Sequence, residues 1–509
     1  MHILTANRRV FGILFLSVAL LAAILVRSYQ WDAWGLNYDE TATVTKVFRL
    51  DAIQLLGDYV LLQNMTTEGP LTIPELADDI FHSFPLYFIT AKLWLSHLRP
   101  PTWESLREFS LLWAVLTVPI IGAIALRFGR WPAILSVLFS LVHPMLHFMG
   151  TYIRFYSLFI FVSAVSYALA VWLFPWLTQN DRKNSPITFP RLFTVLMLSL
   201  ATIAPSTVHL GGAVASFSIF LIGILCLRRT RLGYVYYVAT ILIGLVPAAK
   251  AAFFLYVRAI DPGQATNIMS TSALHVLLSI GFNFGPGLLL AAMAGSVNIL
   301  RSPVSHGMPV SERDPKYFTI GFLATLIPII GLILLKHSIF RPDYASCLLP
   351  AVIVLASLFL TRAIQGMHTH VDRIVTGGAL FLLVIASILP AFISNAFIDG
   401  DRVDYREAAM TISNLTNGSR AVVLSGAPGT FKRSTREWPH LVHMHFKDFH
   451  RRAHATAIPV FQIVRELKGY STKRYPELST LNGSVRAVLG KDRLDHRICR
   501  LYVVEMTGP

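Results

Sequence analysis

The sequence predicts an α-helical polytopic membrane protein of about eleven spans, followed by a small α/β domain. Three observations predict it. Hydrophobic residues make up 54% of the 509 residues and charged residues 14%, with a mean hydropathy of +0.57; soluble domains carry about 25% charge. Apolar runs near the roughly 20 residues that cross a bilayer recur up to residue 397 and then cease. Basic residues crowd into every second connection between those runs. A soluble enzyme, a disordered chain and a collagen-like fibre are excluded.

The first run, 10–26, follows Arg8-Arg9 and resembles a signal sequence. It ends in Val26-Arg27-Ser28-Tyr29 with no small-x-small cleavage site, which predicts a retained span. Further runs lie at 109–126, 131–149, 155–177, 192–205, 208–227, 234–257, 273–298, 317–335, 343–361 and 375–397. The stretch 84–98 is short for a span and holds Lys92 and His97, so it reads as a juxtamembrane helix lying at the interface.

With the N-terminus inside, the inner loops hold Arg127/Arg130, Arg182/Lys183/Arg191, Arg228/Arg229/Arg231, Arg301/Arg313/Lys316 and Arg362/Arg373. The outer connections after the first hold only Arg154, Arg258, Lys336 and Arg341. Basic loops stay cytoplasmic, so this orientation is the expected one. It makes residues 1–398 the transmembrane domain, with 27–108 as a first extracytoplasmic loop, and puts 399–509 outside. In that tail, Tyr405 to Leu415 has helical spacing and Arg420 to Leu424 reads as a short apolar strand.

The formal net charge of +16 divides into 26 basic against 17 acidic residues before 399, and 18 against 11 after. The first excess belongs to cytoplasmic anchors and the second to a basic tail near lipid headgroups. No nucleic-acid motif accompanies either. The three cysteines lie far apart and offer neither a disulfide framework nor a zinc pattern.

Eleven of those 17 acids fall in the first outer loop, and His143, His147, Arg154, Tyr156, His209, Lys336, Arg341 and Asp343 fall at outer span ends. Ionisable groups at membrane depth are costly, so their gathering on one face marks a site. Four short constellations stand out. Asp39-Glu40, in Trp34-Gly35-Leu36-Asn37-Tyr38-Asp39-Glu40, could act as a general base or hold a divalent metal, or be a solvated acid pair. His82-Ser83-Phe84-Pro85-Leu86-Tyr87 opens the interfacial helix and could simply anchor it. Tyr152-Ile153-Arg154-Phe155-Tyr156 puts a guanidinium where it could grip a lipid phosphate or snorkel to headgroups. Phe340-Arg341-Pro342-Asp343-Tyr344 suits an anionic phosphate, or an ion pair between Arg341 and Asp343.

Taken in order, these elements resemble the bacterial membrane glycosyltransferases related to protein O-mannosyltransferases and the aminoarabinose transferase of lipid A, which have the GT-C fold. The resemblance spans most of residues 1–420. It implies a polyprenyl-phosphate sugar donor used on the non-cytoplasmic face of the cytoplasmic membrane, an extracytoplasmic acceptor, and Asp39 as catalytic base with Glu40 beside it. His82 and Tyr87, also expected at the lipid-phosphate donor, match the family's H-P-P-L-Y-Y segment, which Ser83-Phe84 interrupts here. Arg154 with Tyr156, and Arg341 with Tyr344, match its donor-phosphate elements. Relatives often carry an acid two residues before that first arginine, where Tyr152 stands here. The expectation is an inverting transfer of one sugar with no cofactor required, a metal at the acidic pair staying open. The rival from another class is a flippase or transporter of lipid-linked sugars or polysaccharide.

Overall fold

The computed structural model describes residues 2–27, 85–100, 102–180, 188–209, 211–228, 230–260, 273–301, 310–327, 342–365, 405–425, 438–445, 459–467, 483–489 and 499–506, with isolated positions at 43, 329–330 and 377–386. The chain divides into two compact units, one of residues 1–29 and 47–392, the other of 30–46 and 393–509.

In the first unit α1 (His2–Arg27) carries the first apolar run, and α2 (Pro85–His97) the short stretch predicted at the interface. Tyr87, Phe88, Ala91 and Leu95 make one buried stripe along α2, at the spacing an amphipathic helix uses to pack on a neighbour. α3 (Trp103–Leu126) starts at Thr102, whose hydroxyl accepts the Ser105 N–H at 3.2 Å. That N-cap satisfies one of the donors every helix start leaves open. Gly129, at φ 139°, then turns the chain into α4 (Arg130–Val142). Ala19 and Ala23 of α1, Val115 and Val118 of α3 and Val137 of α4 close into one apolar cluster.

There follow α5 (Pro144–Thr151), α6 (Tyr156–Asn180), α7 (Phe189–Val208), α8 (Gly212–Leu227), α9 (Arg231–Ile260), α10 (Ala273–Phe284), α11 (Pro286–Arg301) and α12 (Val310–Ala324). A 3-10 segment, Pro342–Leu348, leads into α13 (Leu349–Gln365). Every residue of α13 from Leu349 to Leu358 is buried, the pattern of a helix enclosed on all sides. It packs on α11 and α4.

Among the described residues, six helices are long and apolar enough to cross a membrane, or seven if a bent pair is one span. The chain is therefore a multi-pass membrane protein. The expected eleven spans are not all found, for local physical reasons. The run 131–149 breaks at His143, where α4 and α5 meet at a 52° bend before Pro144. The run 273–298 breaks at Gly285, at φ 82°, before Pro286. Proline contributes no N–H and disfavours helical geometry in the residue before it. α8 and α11, at 16 residues each, are short for a span. The runs 317–335 and 375–397 lie partly outside the described residues.

The second unit holds α14 (Tyr405–Leu415) and five strands, β1 (Ala421–Ser425), β2 (Leu441–His445), β3 (Val460–Leu467), β4 (Gly483–Leu489) and β5 (Cys499–Met506). Their order in the sheet is β2-β1-β3-β5-β4. β1 runs parallel to β2 and β3, while β5 runs antiparallel to β3 and β4. Ala408, Ala409 and Ile412 on one face of α14 close over Ala421, Val423, Leu441, Phe461 and Val503 of the sheet. Asn417 and Gly418, both at positive φ, end the helical stretch, and the Gly418 N–H returns to the Ser413 carbonyl at 2.8 Å.

Candidate functional site

Three stretches of the first unit, remote in sequence, meet around His209. The first is the irregular link between α5 and α6. Tyr152 there is extended, the Arg154 N–H turns back to the Tyr152 carbonyl at 2.8 Å, and the Phe159 N–H bonds the Phe155 carbonyl as α6 begins. The turn lays aromatic rings together. Tyr152 stacks on Tyr156 at 6.1 Å between centroids, Phe155 lies 4.4 Å from Tyr156, and the half-buried Arg154 guanidinium sits 5.8 Å from the Phe155 ring. The last is within cation–π range.

The second stretch is the tight reversal from α7 to α8. His209 caps α7 with its N–H on the Pro205 carbonyl, and its Nδ1 accepts the Gly211 N–H at 3.0 Å. That bond assigns the ring proton to Nε2 in the neutral form. The imidazole stacks on Phe155 at 4.5 Å and 11°, and meets Phe159 edge-on at 5.5 Å.

The third stretch opens the 3-10 segment. The Tyr344 ring lies 4.3 Å from His209. Just beyond it, the buried Cys347 thiol donates toward the carbonyls of Tyr344 and Gly211, at 3.5 and 3.6 Å. A Cβ on Gly211 would stand 2.8 Å from the Tyr344 carbonyl oxygen, so the approach needs glycine.

His209 thus joins Phe155, inside the sequence-predicted Arg154–Tyr156 element, to Tyr344 of the later one. Its bridging part was missed in the sequence. The available signal was a histidine two residues before a Gly-Gly pair, inside an apolar stretch. Tyr87 belongs to a different row of rings, 5.7 Å from Phe109, which leads on to Trp113 and then Phe161. Asp39, Glu40, His82 and Arg341 lie outside the described residues.

The chain is similar in structure to ArnT and AglB. ArnT from Cupriavidus metallidurans in the apo state matches at TM-score 0.45 and 15% identity, over 97% of each chain. The same protein bound to undecaprenyl phosphate matches at 0.43 and 14%, again over 97% of each. The apo oligosaccharyltransferase of Archaeoglobus fulgidus matches at 0.46 and 10%, over 89% of this chain and 69% of that one. No family model and no curated protein matches the chain.

The His209 bridge has a measurable consequence. His209→Phe keeps a ring between Phe155 and Tyr344 but strands the Gly211 N–H, an expected loss of about 1–3 kcal/mol. His209→Ala loses the ring contacts as well and should melt lower still. Thermal unfolding of the purified chain checks the order wild type, Phe, Ala; equal midpoints for all three would dissolve the bridge.

Proposed function

We propose that this chain is a glycosyltransferase of the GT-C kind. It moves one sugar from a polyprenyl-phosphate carrier to an acceptor outside the cytoplasmic membrane, with the C-terminal unit on that same side. One observation carries the reading: Tyr344 and Phe155, from the two elements that the resemblance assigns to the donor phosphate, pack against the same histidine. Arg154 and Arg341 neighbour those rings in sequence. Two guanidiniums suit a phosphate that takes on negative charge as the sugar departs, because each offers a planar fork of donors. Asp39 removes the acceptor's proton, the acceptor oxygen forms a bond to the anomeric carbon, and the carbon–oxygen bond to the carrier phosphate breaks. The phosphate leaves already anionic, so electrostatic stabilisation replaces a general acid. One displacement inverts the anomeric centre. No step requires a metal.

The deciding experiment incubates the purified chain with a panel of synthetic polyprenyl-phosphate sugars and measures released carrier phosphate. A second reading, a flippase for lipid-linked sugars, draws on the helix breaks at His143 and Gly285, since discontinuous helices often build transport sites. Movement of intact lipid-linked sugar across vesicles, without release of carrier phosphate, would select it.

A narrower test addresses the phosphate contact. Arg341→Ala should weaken donor use about 10- to 100-fold, the equivalent of a charge-assisted bond of about 1.5–3 kcal/mol. Arg341→Lys should recover only part, because a point charge does not replace the fork. Unchanged donor affinity in the Ala variant would return Arg341 to a structural role.

A further inference from the structure

A second cluster of basic and hydroxyl groups lies at the break between α4 and α5, outside the rings around His209. Arg27, the last residue of α1, is 1% exposed. Its Nη2 donates to the carbonyl oxygen of Ser140, in the last turn of α4. Carbonyls there have no donor from their own helix, so the arginine caps α4. That bond uses one of five guanidinium donors. Nε has no hydrogen-bond partner, and among the described residues no carboxylate pairs with Arg27.

His143, fully buried, does the same for a second helix end. Its Nε2 donates to the carbonyl of Phe284, the last residue of α10, at 3.1 Å. Its Nδ1 is left without a hydrogen-bond partner. Ser136, Ser140 and His143 share one face of α4 at i, i+4 and i+7. Ser140 returns its hydroxyl to the Ser136 carbonyl at 2.7 Å, while the buried Ser136 hydroxyl has no partner. Arg27 therefore meets the end of a helix that carries two further unpartnered polar groups. The N-terminus of α5 starts at the same place, with no side-chain cap, and a helix start leaves its first N–H groups open.

We propose that Arg27, Ser136 and His143 line a buried site for a compact oxyanion of the phosphate class, borne by a lipid or free. The capping bonds explain why basic side chains stand at the two breaks, but not why a permanent cation is enclosed with no counter-charge among the described residues. Enclosing an unpaired ion is strongly unfavourable, and in a membrane protein such a group marks a site by default. The unused groups match a monoprotonated oxyanion: guanidinium N–H groups, a serine hydroxyl and a helix start donate to it, and the bare Nδ1 of the neutral imidazole accepts its hydroxyl proton. Both nitrogens are shielded, so the anion enters when the break opens. The site is separate from Arg154, which stands beyond the eight residues of α5, roughly 12 Å of helical rise away. It is read from burial and hydrogen bonding alone and does not rest on sugar transfer.

Thermal unfolding of the full chain in detergent tests it, with sodium phosphate, a polyprenyl monophosphate in micelles, or sodium chloride at matched ionic strength. One of the two phosphates should raise the wild-type midpoint by several degrees, because a ligand that binds only the folded state stabilises it by mass action. A shift with sodium phosphate identifies a free anion; a shift with the lipid alone identifies a lipid-borne one. Arg27→Met should abolish the shift while leaving the phosphate-free midpoint unchanged or higher, since an uncompensated charge is gone. Ser136→Ala leaves both capping bonds intact, so it should shrink the shift without moving the phosphate-free midpoint. Three results overturn the site: no shift with either phosphate, a full shift in both variants, or Arg27→Met melting lower by the same amount in every condition.

Discussion

Asp39→Asn should abolish most sugar transfer while leaving donor binding largely intact. The substitution keeps the size and polarity of the side chain and removes its ability to take a proton. Loss of a general base typically slows turnover about 10²–10⁴-fold. Glu40→Gln is the informative partner. If Glu40 only orients its neighbour or the loop, its loss should cost much less than that of Asp39. Comparable losses would point to a divalent metal held by both carboxylates, and a chelator separates the cases, since a base acting alone is indifferent to it. Single-turnover assays with a synthetic polyprenyl-phosphate sugar, with donor binding measured in parallel, read both quantities. An Asn variant that is folded and transfers at the normal rate would remove the catalytic assignment and favour the transporter reading.

How far the sequence carried this site follows from what hydropathy measures. A run such as 155–177 is a simple quantity, and the helix Tyr156–Asn180 falls on it closely. Likewise the helical spacing from Tyr405 to Leu415 coincides with α14. A change of direction inside an apolar run leaves no trace in mean hydropathy, so 131–149 and 273–298 each read as one element. The prolines there were visible, yet proline alone does not decide a break. Pro119, Pro175, Pro205 and Pro247 all sit within continuous helices. Backbone conformation before the proline is what differs: His143 is extended and Gly285 left-handed. The meeting of Phe155, His209 and Tyr344 is a contact between remote segments, which no local pattern encodes. Arg27 was legible only as the end of a span. That it closes a second helix, with donors to spare, is a property of packing.

Gly212→Ala should be among the most damaging single-methyl changes in this chain. α7 ends at Val208, the chain reverses at His209, and Gly212 begins α8 with its N–H on the His209 carbonyl at 2.9 Å. A Cβ at Gly212 would stand 2.1 Å from the Pro205 carbonyl oxygen, 2.2 Å from its carbon and 2.7 Å from the Ser206 nitrogen. All three are backbone atoms, so no rotamer change relieves the clash and the reversal itself must open. Overpacking of this kind costs about 1–3 kcal/mol, and backbone obstacles put it at the upper end. Opening the reversal also withdraws His209 from Tyr344, so donor use should fall along with stability. Gly281→Ala is the control. That glycine lies within α10 and a Cβ there meets nothing within 4 Å, so alanine should gain about 0.5–1 kcal/mol from helix propensity. Thermal unfolding of the two variants beside wild type decides the matter. If Gly212→Ala melts where wild type does, the reversal is not as tight as drawn, and the packing of His209 between Phe155 and Tyr344 loses its support.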